Sequence, residues 1–423
     1  MMRSWPLTLR GAGALLFAVT SAIVAQAWGS VGLLAFAVLL LALVLVSLAS
    51  LYLVRRPAEV VRSVRPAVPQ AGEWAAVTVG VSMRTALPSA AGSWSDGLPA
   101  DAETDDAAGA RRSATGEFPA TASGLRDQER VVTLRYRVRF PRRGVHVLGP
   151  FRVTLVDPFG LVRRTLRIGD RSRVVVAPAV VELGGTVRAA GGPGGSPHAV
   201  TTQRGQGADN LIARPYLPGD SMRRIHWRAT ARRGELMVRE EEQEATPDAT
   251  IVLDRSAPRY ADRARTAPGA DPGFEAAVGA CVSVAARLVR DGYVVSVLDS
   301  DGTALCEPLG ALDGRDGERL AAELATLTTR PGDALRHVST LLGGGPAGPV
   351  VLVTGALGAP EAAALAPVAG SSSAPVLLAA APAADALTTA TAGGWRALSI
   401  APGRDLAEAW RGALERMPSD AVR

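Results

Sequence analysis

The chain has 423 residues, more than one ordinary domain holds, and this length predicts two or three domains. All 46 basic residues are Arg, and the 40 acidic residues are interleaved with them, so the net charge of +6 does not predict nucleic-acid binding. Arg in place of Lys, with abundant Ala, Gly and Val, favours a GC-rich bacterial source. Cys281 and Cys306 are predicted to be reduced thiols, and the absence of a CxxC motif excludes a zinc site.

Two apolar segments near the N-terminus predict a membrane hairpin within residues 1–56. The first runs over about 11–28 and the second over about 31–54. A helix needs about 20 apolar residues to cross the hydrocarbon core of a bilayer, and both segments are near this length. Gly29 and Ser30 between them suffice for a tight turn. The membrane is therefore the first predicted partner.

The charges beside the hairpin predict its orientation. Arg3 and Arg10 precede the first segment, Arg55 and Arg56 follow the second, and the connecting turn is uncharged. By the positive-inside rule both ends lie on the cytoplasmic side of a bacterial plasma membrane. The alternative is a signal peptide cleaved near residues 25–27, which leaves the second segment as a stop-transfer helix and the same location for the soluble part.

Residues 57–182 predict an all-β, sandwich-like unit of short alternating strands. In Val131–Phe140 the side chains of Val132, Leu134, Tyr136, Val138 and Phe140 fall on one face. The stretch from about 88 to 127 is rich in Ala, Ser, Gly, Asp and Thr without periodicity, and it is interpreted as a disordered insertion.

Residues 183–248 are interpreted as a flexible linker followed by a motif-bearing segment, and residues 249–423 as an α/β domain. Apolar strands such as Thr250–Asp254 and Pro349–Thr354 alternate with helical patterns such as Phe274–Arg290. Alternation of this kind predicts a mostly parallel, Rossmann-type sheet covered by helices on both faces.

Residues 214–240, the signature segment, carry the most informative motif. It resembles the domain-of-unknown-function family numbered 58, whose pattern has the form R-x-Y-x-P-G-D-x-x-R-x-I-H-W, then A-R and E-L. The turn Asp157–Leu161 also resembles the family. The matching residues of the signature segment are Arg214, Tyr216, Pro218, Gly219, Asp220, Arg223, Ile225, His226, Trp227, Ala231, Arg232, Glu235 and Leu236.

The signature segment also has a reading from its residues alone. Asp220 or Ser221 is predicted to cap a short helix over Met222–Ala231. The Arg residues of this helix either pair internally with the following acids or form a docking surface for a partner protein. The residues predicted for binding are Arg214, Tyr216, Pro218, Gly219, Asp220, Arg223, His226, Trp227, Arg228, Arg232 and Glu235.

A hydrolase that uses Ser221 and His226 is an alternative, but the spacing disfavours it. Asp220 and Ser221 are adjacent, and His226 follows in the same predicted helix, so the three cannot align as nucleophile, base and orienting group. No G-x-S-x-G motif is present. No catalytic residue and no small-molecule substrate are predicted.

The resemblance implies that the α/β domain is von Willebrand factor A-like, and many such domains bind Mg²⁺. Asp254 and Ser256 match the start of the D-x-S-x-S ligand motif, but Pro258 replaces its last Ser. Thr354 follows the next apolar strand where an Asp is expected. No functional metal site and no cofactor are predicted, and Asp254 with Ser256 is a degenerate candidate for Mg²⁺.

The resemblance also implies a functional link to MoxR-type AAA+ ATPases. The sequence is therefore interpreted as a membrane-anchored, non-enzymatic adaptor or scaffold that acts with such an ATPase in the assembly of a membrane or envelope complex. A Mg²⁺-dependent, adhesion-type binding protein is the alternative.

Overall fold

A computed structural model describes residues 5–52, 58–83, 90–105, 112–120, 130–185, 211–216, 222, 225–241, 247–310, 314–342, 347–403 and 405–415. The chain divides into two compact units, residues 1–179 and 180–423. The first unit contains the apolar helices and the antiparallel sheets. The second contains the signature segment and a parallel sheet.

Two long apolar helices form a hairpin at the start of the first unit, as predicted. Helix α1 spans Leu9–Trp28 and helix α2 spans Val31–Tyr52. The side chain of Thr8 caps α1 by accepting a hydrogen bond from the backbone N–H of Gly11, and Gly29 ends it at φ 58°. Both helices are long and apolar enough to cross a membrane. Arg3, Arg55 and Arg56 lie outside the described residues.

The described residues of the first unit form ten strands after the helices, and these strands pair antiparallel. One four-stranded sheet has the order β1-β2-β6-β4, a second has the order β5-β3-β8-β9, and β10 pairs with β7. Their bounds are β1 Ala58–Arg65, β2 Trp74–Met83, β3 Ala90–Gly97, β4 Glu103–Thr104, β5 Ser113–Phe118, β6 Arg130–Arg139, β7 Gly144–Leu148, β8 Phe151–Val156, β9 Arg163–Ile168 and β10 Ser172–Val176.

Both four-stranded sheets contribute side chains to one buried core. In β6 and the residue after it, Leu134, Tyr136, Val138 and Phe140 are buried as the alternation predicts. The ring of Trp94 in β3 lies 5.8 Å from the ring of Tyr136 in the other sheet, measured between centroids. The core thus joins the two sheets through aromatic contacts, which prefer centroid separations of this size.

A buried ion pair also joins the two sheets. The guanidinium of Arg62 on β1 donates from Nε and Nη2 to the two carboxylate oxygens of Asp96 on β3, each at 2.9 Å. The hydroxyl of Tyr136 donates to the same carboxylate at 2.9 Å. Burial and the adjacent Asp96 raise the pKa of Tyr136, so its hydroxyl keeps its proton and remains a donor.

The predicted disordered insertion over 88–127 is wrong where the structure describes this stretch. Strands β3 and β5 lie within it, and Trp94, Ala114 and Phe118 are buried in the core. The composition of β3 is unusual for a strand because it includes a charged residue, Asp96, which is buried in an ion pair.

Gly92 in β3 lies where two backbone segments approach closely. A Cβ added at Gly92 would lie 2.0 Å from the Thr154 carbonyl oxygen, so this approach requires glycine.

The second unit contains a five-stranded, wholly parallel sheet of order β14-β13-β15-β16-β17. The strands are β13 Asp248–Leu253, β14 Val294–Asp299, β15 Ala347–Leu357, β16 Ser372–Pro382 and β17 Arg396–Ser399. The helices around it are α4 Arg263–Thr266, α5 Pro272–Arg290, α6 Gly314–Ala325, α7 Val338–Leu342, α8 Ala359–Ala364, α9 Ala366–Ser371, α10 Ala386–Ala392 and α11 Leu406–Glu415.

Helices cover both faces of this sheet, because alternate strand residues enter two separate cores. Val351 and Val353 of β15 join the cluster that includes α5, α6 and α11. Val350 and Leu352 of the same strand join the cluster that includes α7 to α10. Helix α5 is also long and apolar enough to cross a membrane, but its apolar side chains are largely buried against the sheet.

The linker prediction for residues 183 onward is wrong at its first residue. Leu183 is buried in the core of the second unit, and Val180 and Val181 pack against the same core. The backbone N–H of Val181 donates to the Ser283 hydroxyl at 2.9 Å. The Gly-rich part of the predicted linker, residues 186–210, lies outside the described residues.

Candidate functional site

The signature segment folds as a two-stranded ribbon with a short helix between its strands. Strand β11, Leu211–Pro215, pairs antiparallel with β12, Met237–Glu241, and helix α3 spans Trp227–Arg233. The Thr230 hydroxyl at the middle of α3 accepts from the backbone N–H of Met237 at 3.0 Å. Ile225, Met237 and Val238 are buried, and they anchor the helix on the ribbon.

Helix α3 begins five residues later than predicted, because His226 is its N-cap. The His226 backbone N–H donates to the Met237 carbonyl oxygen at 2.7 Å, which holds this residue outside the helix. Its ring Nδ1 accepts from the backbone N–H of Ala229 at 3.2 Å. Such a side-chain acceptor satisfies one of the free amides at a helix start.

Part of the predicted binding set lies outside the described residues. This holds for Pro218, Gly219, Asp220 and Arg223, and for the side chain of Arg214. Ser221, named for the hydrolase alternative, lies outside the described residues as well. Tyr216 is described, and its backbone N–H donates to the Leu236 carbonyl oxygen at 2.8 Å, which extends the ribbon by one residue pair.

Three of the described binding residues, Trp227, Arg228 and Arg232, are exposed residues of α3, and Glu235 follows the helix. Trp227 is 68% exposed, and Arg228, Arg232, Arg233 and Glu235 are exposed as well. None of these three arginines forms an ion pair with a residue that the structure describes. We call Trp227, Arg228, Arg232 and Arg233 the α3 face.

Two apolar side chains near α3 in the sequence are also exposed. Met222 is 64% exposed and Leu236 is 42% exposed. An exposed indole and guanidinium groups that form no ion pair with described residues match the residue types that are enriched at protein interfaces. Of the acids predicted to pair internally with these arginines, Glu242 and Glu244 lie outside the described residues, as do the side chains of Glu240 and Glu241.

A second polar cluster lies at the carboxyl ends of β13, β14 and β15. In chain order these strands are the first, second and third of the sheet, so the order is 2-1-3-4-5 and its reversal falls between β13 and β15. Ligands of open parallel sheets bind in the crevice at such a reversal. Asp254 follows β13 here, and Thr354 lies on the neighbouring β15.

Asp254 is fully buried, and its carboxylate accepts three hydrogen bonds. One oxygen accepts from the Ser256 backbone N–H at 3.1 Å and from the Ser300 hydroxyl at 3.0 Å. The other oxygen accepts from the Thr354 hydroxyl at 2.8 Å. The Tyr260 hydroxyl donates to the Asp254 carbonyl at 2.9 Å, and burial together with the Asp254 charge raises the pKa of Tyr260.

Asp299, at the end of β14, is the second buried carboxylate of the cluster. Its Oδ2 lies 2.8 Å from Arg330 Nε and 3.4 Å from Arg255 Nη1. Its Oδ1 accepts from the Ser300 backbone N–H at 2.6 Å, and the Ser300 hydroxyl lies within hydrogen-bonding distance of both Asp254 and Asp299. One hydroxyl thus links the ends of two adjacent strands.

The donor set of this cluster does not fit a divalent cation. Mg²⁺ needs an octahedral shell of oxygen ligands whose negative charge is available to it. The carboxylate oxygens of Asp254 and Asp299 are already occupied, and Arg255 and Arg330 place positive charge where a cation would sit. Within the described residues there is no group of three or more His, Cys, Asp or Glu side chains that could hold a metal.

The sequence predicts only part of this cluster. The metal-ligand motif indicates Asp254, Ser256 and Thr354, but it does not indicate Asp299, Ser300 or Arg330. Asp299 follows a buried strand just as Asp254 does, and this acid-after-strand signal was sufficient to find it. Arg330 has no such signal, because it reaches Asp299 from a loop 31 positions further along the chain.

One protein-family model matches part of the chain. Residues 212–333 match the family described as "Protein of unknown function DUF58", so the resemblance of the signature segment to that family is confirmed over this range. The range also includes strands β13 and β14 and the Asp254–Asp299 cluster. No curated protein matches the chain.

Several solved structures are similar to parts of the chain. The CARDB domain of the PF1109 protein from Pyrococcus furiosus is 12% identical, with coverage of 29% of this chain and 88% of that one, and a TM-score of 0.18. The major pilin subunit of Bacillus cereus is 8% identical, with coverage of 30% and 42% and a TM-score of 0.21. A cohesin from Archaeoglobus fulgidus is 10% identical, with coverage of 28% and 91% and a TM-score of 0.19. Scores this low assign neither fold nor function.

Proposed function

We propose that this protein is a membrane-anchored, non-enzymatic adaptor that docks a cytoplasmic partner protein on the α3 face. The observation that carries the proposal is the exposure of Trp227 beside Arg228 and Arg232, which have no ion-pair partner among the described residues. Exposed aromatic and Arg side chains contribute most of the binding energy at many interfaces. Two helices of membrane-spanning length supply the anchor.

The proposed partner is a MoxR-type AAA+ ATPase. This part of the proposal is supported by the resemblance of the signature segment to its family, together with the predicted orientation. Arg10 lies in the first turn of α1, and Arg55 and Arg56 follow α2, so the positive-inside rule favours the side where cytoplasmic ATPases are found for both units. The client of such a pair is a membrane or envelope complex under assembly.

The α/β unit is proposed to be von Willebrand A-like, with altered residues at the carboxyl ends of its strands, where such domains bind metal. The position of Asp254 and Ser256 after the first strand supports this assignment. The ion pairs of Asp299 with Arg330 and Arg255 favour a metal-independent edge over a Mg²⁺-dependent adhesion site. For a hydrolase, His226 is poorly suited as a base, since its Nδ1 already accepts from the Ala229 N–H.

An affinity purification tests the adaptor proposal. The full-length protein is crosslinked in native membranes with and without ATP, purified, and its partners are identified by mass spectrometry. We expect an AAA+ ATPase to be recovered and to be lost from the Arg228→Glu/Arg232→Glu variant. Arg336→Glu/Arg411→Glu is the matched control, because both arginines are exposed on the same unit away from α3. Recovery of only extracytoplasmic proteins would refute both the partner and the orientation.

A further inference from the structure

The turn over residues 157–162 holds the start of helix α1. The Thr8 hydroxyl donates to the Gly160 carbonyl oxygen at 2.6 Å, and the Thr8 backbone N–H donates to the Leu161 carbonyl oxygen at 2.9 Å. The Arg163 backbone N–H donates to the Pro6 carbonyl oxygen at 2.8 Å. The segment before α1 is thus bound to this turn by backbone hydrogen bonds.

The end of helix α2 contacts the residues just after the same turn. The Tyr52 hydroxyl donates to the Arg163 carbonyl oxygen at 3.4 Å. The Arg164 guanidinium donates to the Leu51 carbonyl oxygen and lies 5.0 Å from the centre of the Tyr52 ring. Because α1 begins and α2 ends here, the turn lies at the level where both apolar helices terminate.

The turn is rigid and presents an aromatic side chain to its surroundings. The buried Asp157 carboxylate accepts from the backbone N–H groups of Phe159 and Val162, at 3.0 and 2.6 Å. Gly160 adopts φ 73°, which a glycine tolerates without strain. The side chain of Phe159 is left 56% exposed, and that of Trp5, just before the segment bonded to the turn, is 66% exposed.

Two arginines belong to the same region of the chain. Arg10 and Arg163 are exposed, and neither forms an ion pair with a residue that the structure describes; the Arg163 Nε donates to the Trp5 carbonyl oxygen at 3.5 Å. Aromatic rings are enriched at the headgroup level of membranes, and Arg side chains there attract anionic lipids. Both residue types are thus exposed at the level where α1 begins and α2 ends.

We propose that the turn over 157–162 is a lipid contact at the membrane surface. Phe159 and Trp5 lie at the boundary between headgroups and acyl chains, and Arg10 and Arg163 bind the phosphates of anionic lipids. The antiparallel sheets are thereby held against the bilayer at β8 and β9. This inference rests on the membrane anchor in the proposed function, and it does not depend on the partner that α3 docks.

Spin-label depth measurements test the proposal on the full-length protein in nanodiscs. Cys306→Ser removes the partly exposed native thiol, while Cys281 is buried. A nitroxide is attached through Phe159→Cys, through Leu41→Cys in α2, or through Asp170→Cys at the far end of β9. We expect collisions with oxygen to exceed those with a water-soluble nickel complex at positions 41 and 159, with the opposite result at position 170.

Lipid composition tests the role of the arginines. With phosphatidylglycerol added to phosphatidylcholine, the label at position 159 is expected to shift further toward oxygen, and Arg10→Gln/Arg163→Gln is expected to abolish this shift. A label at 159 in water while that at 41 is in lipid overturns the inference and leaves the anchor intact. Labels at 41 and 159 both in water overturn the anchor as well. An unchanged shift in the double variant refutes the phosphate contact.

Discussion

Three buried carboxylates, Asp96, Asp254 and Asp299, are stabilised by different donors. Asp96 has a bidentate Arg and a Tyr hydroxyl, Asp254 has hydroxyls and an amide, and Asp299 has two guanidinium groups. A buried carboxylate without such partners would be strongly destabilised. Removal of a donor to one of these carboxylates is therefore expected to lower the stability of the fold.

The first prediction concerns the Arg62–Asp96 pair between the two antiparallel sheets. Arg62→Ala leaves the Asp96 carboxylate buried, and loss of one partner of a buried ion pair costs about 3–5 kcal/mol. We expect a clear fall in the thermal unfolding midpoint of the detergent-solubilised protein. Arg139→Ala is the control, since its pair with Glu103 is exposed and worth about 1 kcal/mol or less. Equal effects of the two variants would refute the structural role of Asp96.

The second prediction concerns the polar cluster at the carboxyl ends of β13, β14 and β15. Because Arg330 and Arg255 already neutralise Asp299, addition of Mg²⁺ or of a chelator is expected to leave the unfolding midpoint unchanged. Arg330→Ala is expected to lower the midpoint, because the Asp299 carboxylate loses its nearer guanidinium partner and keeps the more distant one of Arg255. A midpoint that rises with Mg²⁺ in the unaltered protein contradicts this account of the cluster.

At the scale of elements, the position of helix α1 against the turn over 157–162 depends on Gly11, which lies close to the Leu161 backbone. A Cβ added at Gly11 would lie 2.0 Å from the Leu161 carbonyl oxygen, whereas one added at Gly13 meets no atom within 4 Å. Gly11→Ala must therefore displace the helix from the turn that it contacts, and Gly13→Ala must not.

The third prediction follows from this pair of glycines. In hydrogen-exchange mass spectrometry, Gly11→Ala is expected to accelerate exchange over residues 157–163, since the bonds from Thr8 and to Pro6 are lost. Gly13→Ala is expected to leave this exchange unchanged, and to favour the helix by up to about 1 kcal/mol. The same exchange in both variants would show that the helix does not depend on contact with the turn.

Elements with a strong internal pattern were predictable from the sequence. Helices α1 and α2 are largely apolar, and β6 alternates so clearly that its buried face could be named. Strand β3 could not be predicted, because the partners that let its Asp96 be buried, Arg62 and Tyr136, lie 34 and 40 residues away. The start of α3 at His226 likewise depends on a backbone bond to Met237, which no local pattern reveals.

At the scale of the whole molecule, the parallel sheet was predictable, but the polar cluster at the carboxyl ends of its strands was predictable only in part. Alternating strands and helices indicate a parallel sheet whatever the details of their loops. The chemistry of the edge depends on Arg330, which a loop brings to Asp299. For the signature segment the motif indicated the region, and the structure adds which of the described residues are exposed together on α3.

The adaptor proposal combines three features of the molecule. Two helices are long and apolar enough to cross a membrane, the Asp299 carboxylate of the parallel sheet is paired with arginines, and α3 has an exposed indole beside arginines that form no ion pair with described residues. This arrangement favours a protein that binds another protein over one that transforms a small molecule.

The most direct test places a photo-crosslinking amino acid at position 227 of the full-length protein in native membranes. We predict an ATP-sensitive crosslink from position 227 to an AAA+ ATPase. The same amino acid in place of the exposed Arg336 is predicted to give no such crosslink. If position 227 yields no protein crosslink, or yields the same products as position 336, the α3 face is not a docking surface and the proposed function is wrong.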